Sequence, residues 1–164
     1  MGFFISWQES CIFENIKTQN MRTILSALFL IIGMTAMAQS VVGTWMTIDD
    51  ETKKKKSLVK IYKKDGKLYG KVIKLYRTPE EDQDPSCTKC EDDRKGKKII
   101  GMEVIRGLSY DSEDKIWEKG TILDPKKGKI YKAKLWLMKD KPKFLQVRGY
   151  VGFFYRTQTW VRVK

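Results

Sequence analysis

Chemistry in this chain would most obviously start at "EEDQDPSCTKCEDDRKGKK", where Cys87 and Cys90 stand close together inside a run of charge. A pair at this spacing can clamp a metal, exchange electrons or close a disulfide. Structural zinc takes four soft ligands, and the chain has no histidine. Zinc would need thiolates from a second chain or carboxylates such as Asp84 and Glu91. A redox pair needs its attacking thiolate stabilised by positive charge, yet Glu80, Glu81, Asp82 and Asp84 precede the pair and Glu91, Asp92 and Asp93 follow it. Only Lys89 and Arg94 oppose that acidity. The pair therefore reads as a disulfide stapling the tip of a long loop. The acidic run lacks the alternating ligands of a calcium loop, and no metal site is assigned.

Catalysis finds little purchase. Without histidine, Ser-His and Cys-His nucleophiles and imidazole acid-base work are excluded. Asp49 and Asp50 end a strand with side chains on opposite faces and read as turn formers; Asp124-Pro125 reads likewise. No catalytic residue and no cofactor is assigned. What remains is a binding constellation near the C-terminus: Arg148, Tyr150, Gln158 and Trp160 fall on neighbouring strands if "VRGYVGFFYRTQTW" is a hairpin, with Tyr131 on the strand before. An arginine fork suits a carboxylate or phosphate, and the rings would supply an apolar wall.

These side chains need a scaffold, and after Gln39 the pattern is period-two alternation rich in β-branched and aromatic residues, with turn signals between. "VVGTWMTI" opens it. "SLVKIYK" and "KLYGKVIKLY" flank Lys64-Asp65-Gly66, where Asp-Gly signals a hairpin. After the cysteine loop comes "IIGMEVIRGL", a strand or a short helix, then "KIWEKGTIL", "GKIYKAKLWLMK", "KFLQVRGYV" and "YRTQTWVRV". The fold class is all-β: one antiparallel up-and-down barrel of about eight strands, closed so that no edge is left exposed. Alternation puts Tyr131, Ala133, Leu135 and Leu137 inside and Trp136 outside or at a rim. Leu145, Val147 and Val151 share a face opposite Phe144, Gln146, Arg148 and Tyr150. In the last strand both faces carry a plausible interior.

At the N-terminus, Arg22 precedes an apolar run ending at Ala36-Met37-Ala38, the small-x-small pattern of a cleaved export signal. The run from Ile24 to Ala38 is short for a membrane span. The expectation is an upstream extension at 1–20, a signal helix at 21–38, and a barrel domain at 39–164 in the periplasm or outside the cell. Net charge is +13, from 33 Lys and Arg against 20 Asp and Glu. That balance suits anionic partners, although lysine-rich strands also arise simply as solvated faces. Nucleic acid is disfavoured by the compartment.

"GTWMTIDD", "GKLYGKV", "CTKC", "GMEVIRGL", "ILDPKKGKIYKAKLWL" and "VRGYVGFFYRTQTWVRV", taken in order, closely resemble a family of small exported bacterial proteins called domain of unknown function 2147. The resemblance spans Gly43 to Val163 and implies a lipocalin-like barrel without supplying an activity or a site. Gly43-Thr44-Trp45 is also similar to the Gly-x-Trp opening of lipocalins, in which a basic residue from the last strand packs over the tryptophan. Arg162 is the matching candidate and Arg156 the reserve; a guanidinium over an indole gains cation–π energy. The alternative is a core tryptophan at a strand start, and under both readings Trp45 is structural. The functional expectation is an exported barrel that binds a small apolar or amphipathic, anionic ligand. The alternative is a module that lays lysine-rich faces on anionic envelope polymers or on a membrane surface, without spanning it.

Overall fold

The computed structural model describes residues 40–163. They form β1 (Gly43–Ile48), β2 (Lys55–Lys64), β3 (Lys67–Leu75), β4 (Glu103–Asp111), β5 (Ile116–Asp124), β6 (Lys129–Met138), β7 (Lys141–Val151) and β8 (Phe154–Arg162). Each strand pairs antiparallel with the next, and β8 returns to β1 through Trp45 opposite Arg162 and Met46 opposite Val161. The result is the closed eight-stranded up-and-down barrel that the alternation predicts. Among the described residues no helix is long and apolar enough to cross a membrane. The extension at 1–20 and the signal helix at 21–38 lie outside the described residues.

Turn chemistry sets the register. Between Lys64 and Lys67, Asp65 and Gly66 both take positive φ, 50° and 73°, as the tight turn matching strand twist requires. Asp49 Oδ1 accepts hydrogen bonds from the amides of Glu51 and Thr52 and holds the turn from β1 to β2. The segment "IIGMEVIRGL" resolves into a turn followed by a strand that begins only at Glu103.

Alternation then fills the barrel. Trp45, Ile61, Leu68, Ile105, Leu108, Leu135 and Leu145 are fully buried, each such side chain contributing roughly 1.5–3 kcal/mol relative to exposure. In β4 and β5, however, adjacent residues are covered on both faces. Val104 and Ile105 are both buried, and Leu123 is buried beside the partly buried Ile122. Consecutive strand residues point to opposite sides, so something must cover the outside of the sheet here.

That cover is the cysteine loop, which brings a correction. The disulfide read from the sequence is present, joining Cys87 and Cys90 with Cα atoms 5.5 Å apart, but it does not sit at a loop tip: both cysteines are buried in the core. The loop packs with Ile99, Met102, Val104 and Leu123 in that core. Its backbone is tied by Cys87 N to Lys97 O and Gly96 N to Cys87 O, both 2.9 Å. Arg94, buried, donates to the Asp92 carboxylate and, at 2.8 Å, to the Glu103 carbonyl. At the turn from β5 to β6, Gly128 has φ 69°, and a Cβ there would fall 1.9 Å from the Lys89 carbonyl oxygen. Only glycine lets the loop lie that close.

Candidate functional site at the open end of the barrel

The pairing of β6, β7 and β8 stacks the inward side chains in layers. Leu137, Leu145 and Trp160 form one layer; Leu135, Val147 and Gln158 the next; then Ala133, Gly149 and Arg156; and last Tyr131 with Val151 and Phe154. Large apolar groups thus give way over the first three layers to small and polar ones, and the last layer is an apolar rim, exposed at Val151 and Phe154. Leu135, Leu145 and Val147 are buried, Gln158 and Tyr131 are half-buried, and Arg156 is exposed. Sequence reasoning left the inner face of β8 undecided. The register with β7 decides it, because Leu145 and Val147 pair with Trp160 and Gln158.

The same register divides the predicted binding set. Arg148 pairs with Thr157 and Tyr150 with Tyr155, so both point outward while Gln158, Trp160 and Tyr131 point inward. One residue of offset moves a side chain to the other face, and a hairpin alone does not bring the set together. Outside, the Arg148 guanidinium lies 5.0 Å from the Trp136 ring and 4.3 Å from the Tyr155 ring, and its Nε donates to Thr157 Oγ1 at 2.7 Å. Trp136 is accordingly on the outer face. A shallow surface groove of about 380 Å³ runs past Ile116, Lys134, Trp136, Arg148 and Tyr150. Lys134 is committed within it by an ion pair to Glu118 at 2.6 Å.

Inside, a chain of polar contacts climbs from the core to the rim. Trp160 Nε1 donates to Gln158 Oε1 at 3.4 Å, Gln158 Nε2 donates to Asp50 Oδ2 at 2.7 Å, and Arg156 Nη2 pairs with that same oxygen at 2.5 Å. Beside it, the buried Thr47 and Ser57 hydroxyls share a 2.8 Å hydrogen bond. Asp50, read from sequence as a turn former, reaches across to β8 instead, while Asp49 alone holds the turn. Asp50 and Arg156 are the site residues that sequence reasoning missed as a pair; their separation along the chain hides them, and the closing of β1 onto β8 joins them.

The opposite end is sealed. The Arg162 guanidinium lies 4.1 Å from the Trp45 ring. It donates to the carbonyls of Val42 at 3.1 Å, Pro142 at 3.4 Å and Ser40. Trp45 Nε1 donates to Val41 O at 2.8 Å. Burial pushes the Arg162 pKa down, and its hydrogen-bond acceptors among the described residues are neutral carbonyls.

A second surface groove, about 360 Å³, lies against β3 and β4 among Tyr62, Lys71, Lys97, Met102 and Arg106. Burial, aided by a 2.5 Å hydrogen bond to Glu103, pushes Tyr62 up to about 12. Arg106 grips Asp93 through two nitrogens at 2.7 and 3.0 Å, holding that carboxyl down to about 2. This groove's arginines thus already face carboxylates, although Arg106 Nε is buried without a hydrogen bond. Among the described residues no three metal-ligating side chains converge.

Residues 43–162 match the model of a family described as uncharacterised proteins conserved in bacteria, DUF2147. The chain belongs to the DUF2147 family. That agrees with the resemblance drawn from its motifs. No curated protein matches this DUF2147 chain. Among solved structures it is similar to HP1028 from the human pathogen Helicobacter pylori, a protein described as belonging to the lipocalin family. The TM-score is 0.62 at 16% identity, covering 76% of this chain and 84% of that one. At that identity the likeness speaks for the fold, a lipocalin-like barrel. What the DUF2147 barrel does must be argued from its own open end.

Proposed function

We propose that this protein is exported and holds a small anionic amphiphile at the open end of its barrel. One observation carries the reading. On the inner face of β6, β7 and β8, side chains are large, apolar and buried toward Trp45, but small, polar and reachable by solvent toward Arg156. The floor is packed, so the ligand is gripped at the mouth and not swallowed in a deep tunnel. Arg156 spends one nitrogen on Asp50, leaving the rest of its fork to accept a carboxylate or phosphate, a charge-assisted contact of about 1.5–3 kcal/mol. Ile122 and Tyr131 offer the apolar flank. Arg148 and Tyr150 lie outside this site, and Gln158 and Trp160 shape it from below.

The test is displacement of a fluorescent fatty-acid analogue from natively purified protein, with mass spectrometry of whatever co-purifies. Arg156→Ala is expected to weaken binding by about tenfold or more, and Arg148→Ala to leave it unchanged. Equal losses in the two variants, or no uptake at all, would sink the reading. Retention on an anionic polymer that vanishes with salt and ignores Arg156 would favour the alternative of lysine-rich adhesion. Export is supported by the Ala36-Met37-Ala38 pattern after an apolar run; mature protein beginning at Gln39 in the periplasm or medium is the expected outcome.

A further inference from the structure

The hairpin joining β7 to β8 exposes more apolar surface than any function of the barrel interior requires. Its two-residue turn puts Gly152 first, with φ 55°, and Phe153 second. Phe153 is fully exposed, and Val151, Phe154 and Tyr155 are all more than half exposed. None of the first three is in the hydrophobic core or packed against it. Buried aromatic rings are the usual state of phenylalanine, and two adjacent rings on a convex tip lose that stabilisation unless a partner covers them.

We infer that this tip inserts into the headgroup boundary of an anionic lipid surface. The charge around it chooses the occupant. The antiparallel order brings three short turns to the same end of the barrel, 49–54 between β1 and β2, 125–128 between β5 and β6, and the tip itself, together with the long cysteine loop between β3 and β4. Lys53 and Lys54 stand on the first turn, Lys126 and Lys127 on the second, and all four are exposed. The acids of those turns are largely engaged: Asp49 with turn amides, Asp50 with Arg156 and Gln158, and Asp124 with the Lys126 amide. Glu51 stays exposed beside them, and the cysteine loop adds the exposed Glu80, Glu81, Asp82 and Asp84, of which Asp84 is paired with Lys98; the strands that carry that loop, β3 and β4, do not neighbour β7 and β8 in the barrel. Apolar side chains flanked by lysines match an interface whose interior is hydrocarbon and whose surface is negative. A second copy of this chain would press like charges together. A convex wedge also needs a partner that yields or is hollow, and a bilayer yields.

The inference stands apart from the ligand reading, because Phe153 contributes nothing to the grip of Arg156. It is tested by co-sedimentation of the full purified chain, its N-terminus fixed by mass spectrometry, with two vesicle types. One is phosphatidylcholine alone and the other equal parts phosphatidylcholine and phosphatidylglycerol. Expected are binding to the anionic vesicles only, and a loss of about tenfold in partitioning for the variant carrying both Phe153→Ser and Phe154→Ser. Circular dichroism of that variant should match the parent, as both side chains are solvated in the free protein. A Phe153→Trp variant should gain fluorescence that brominated lipid quenches, over the parent's signal. Two results would overturn the inference. Vesicle binding that the double serine variant retains means surface adhesion by lysine alone. Absence of vesicle binding, with the tip instead protected by a protein partner, means that the rings fill a pocket. Fatty-acid displacement by the double variant, run in parallel, separates failure here from failure of the mouth as a binding site.

Discussion

The two ends of the barrel are built from the same strand and the same residue type, and they behave differently. Arg162 closes one end, half-buried, over the Trp45 ring and among neutral carbonyls. Arg156 stands at the other, on the same inner face of β8, exposed and paired with a carboxylate. What separates a plug from a handle is therefore the neighbourhood. Arg162 meets an indole and loses solvent; Arg156 meets Gly149 and Ala133 and keeps it. A guanidinium among neutral acceptors persists at the sealed end because its planar, weakly hydrated charge tolerates stacking on a ring.

The contrast can be broken by substitution, and the largest effect belongs to the sealed end. Trp45→Ala removes a fully buried ring and is expected to cost about 3–5 kcal/mol, read as a lower urea midpoint. An unfolding curve that barely moves would show that this end is not the barrel's foundation. Next come the arginines themselves. Arg162→Ala strips the indole cover and leaves carbonyls unanswered, at roughly 2 kcal/mol. Arg156→Ala should change stability by less than about 1 kcal/mol, as exposed pairs do. If their order is reversed, plug and handle have been assigned to the wrong ends.

Much of this is legible in the sequence, and most of what is not has one cause. Alternation alone identified the inner face of β6, because Lys132 and Lys134 cannot face an apolar interior unpaired, and Asp65-Gly66 fixed a turn by its backbone demands. In β8 both faces carry mixed residues, so only the ladder with β7 could choose. The split between Arg148 and Gln158 is the same point: register is a property of two strands together and is not written in either. The Asp50 contact with Arg156 depends on a closure that joins the two ends of the domain. The cysteine loop misled for a different reason. Its charged composition reads as solvated, but Arg94 answers Asp92 and the Glu103 carbonyl while Arg106 answers Asp93 and the Glu103 carboxylate, which lets Cys87, Cys90 and Ile99 settle on the outer face of the sheet.

The seam between β1 and β8 has a kinetic meaning. Backbone contacts there run only from Thr44 with Val163 through Trp45 with Arg162 to Met46 with Val161, whereas β7 and β8 pair along their whole length from Phe144 to Val151. Toward the open end, the two strands are laced by side chains alone, through Asp50 to Gln158 and Arg156. A guest anion that draws Arg156 away would undo one of those laces. Amide hydrogen exchange should accordingly be fastest along the seam side of β1 and slowest in the ladder of β6 with β7. The cylinder then has a slit as well as a mouth, and exchange along that slit would measure how far the barrel breathes.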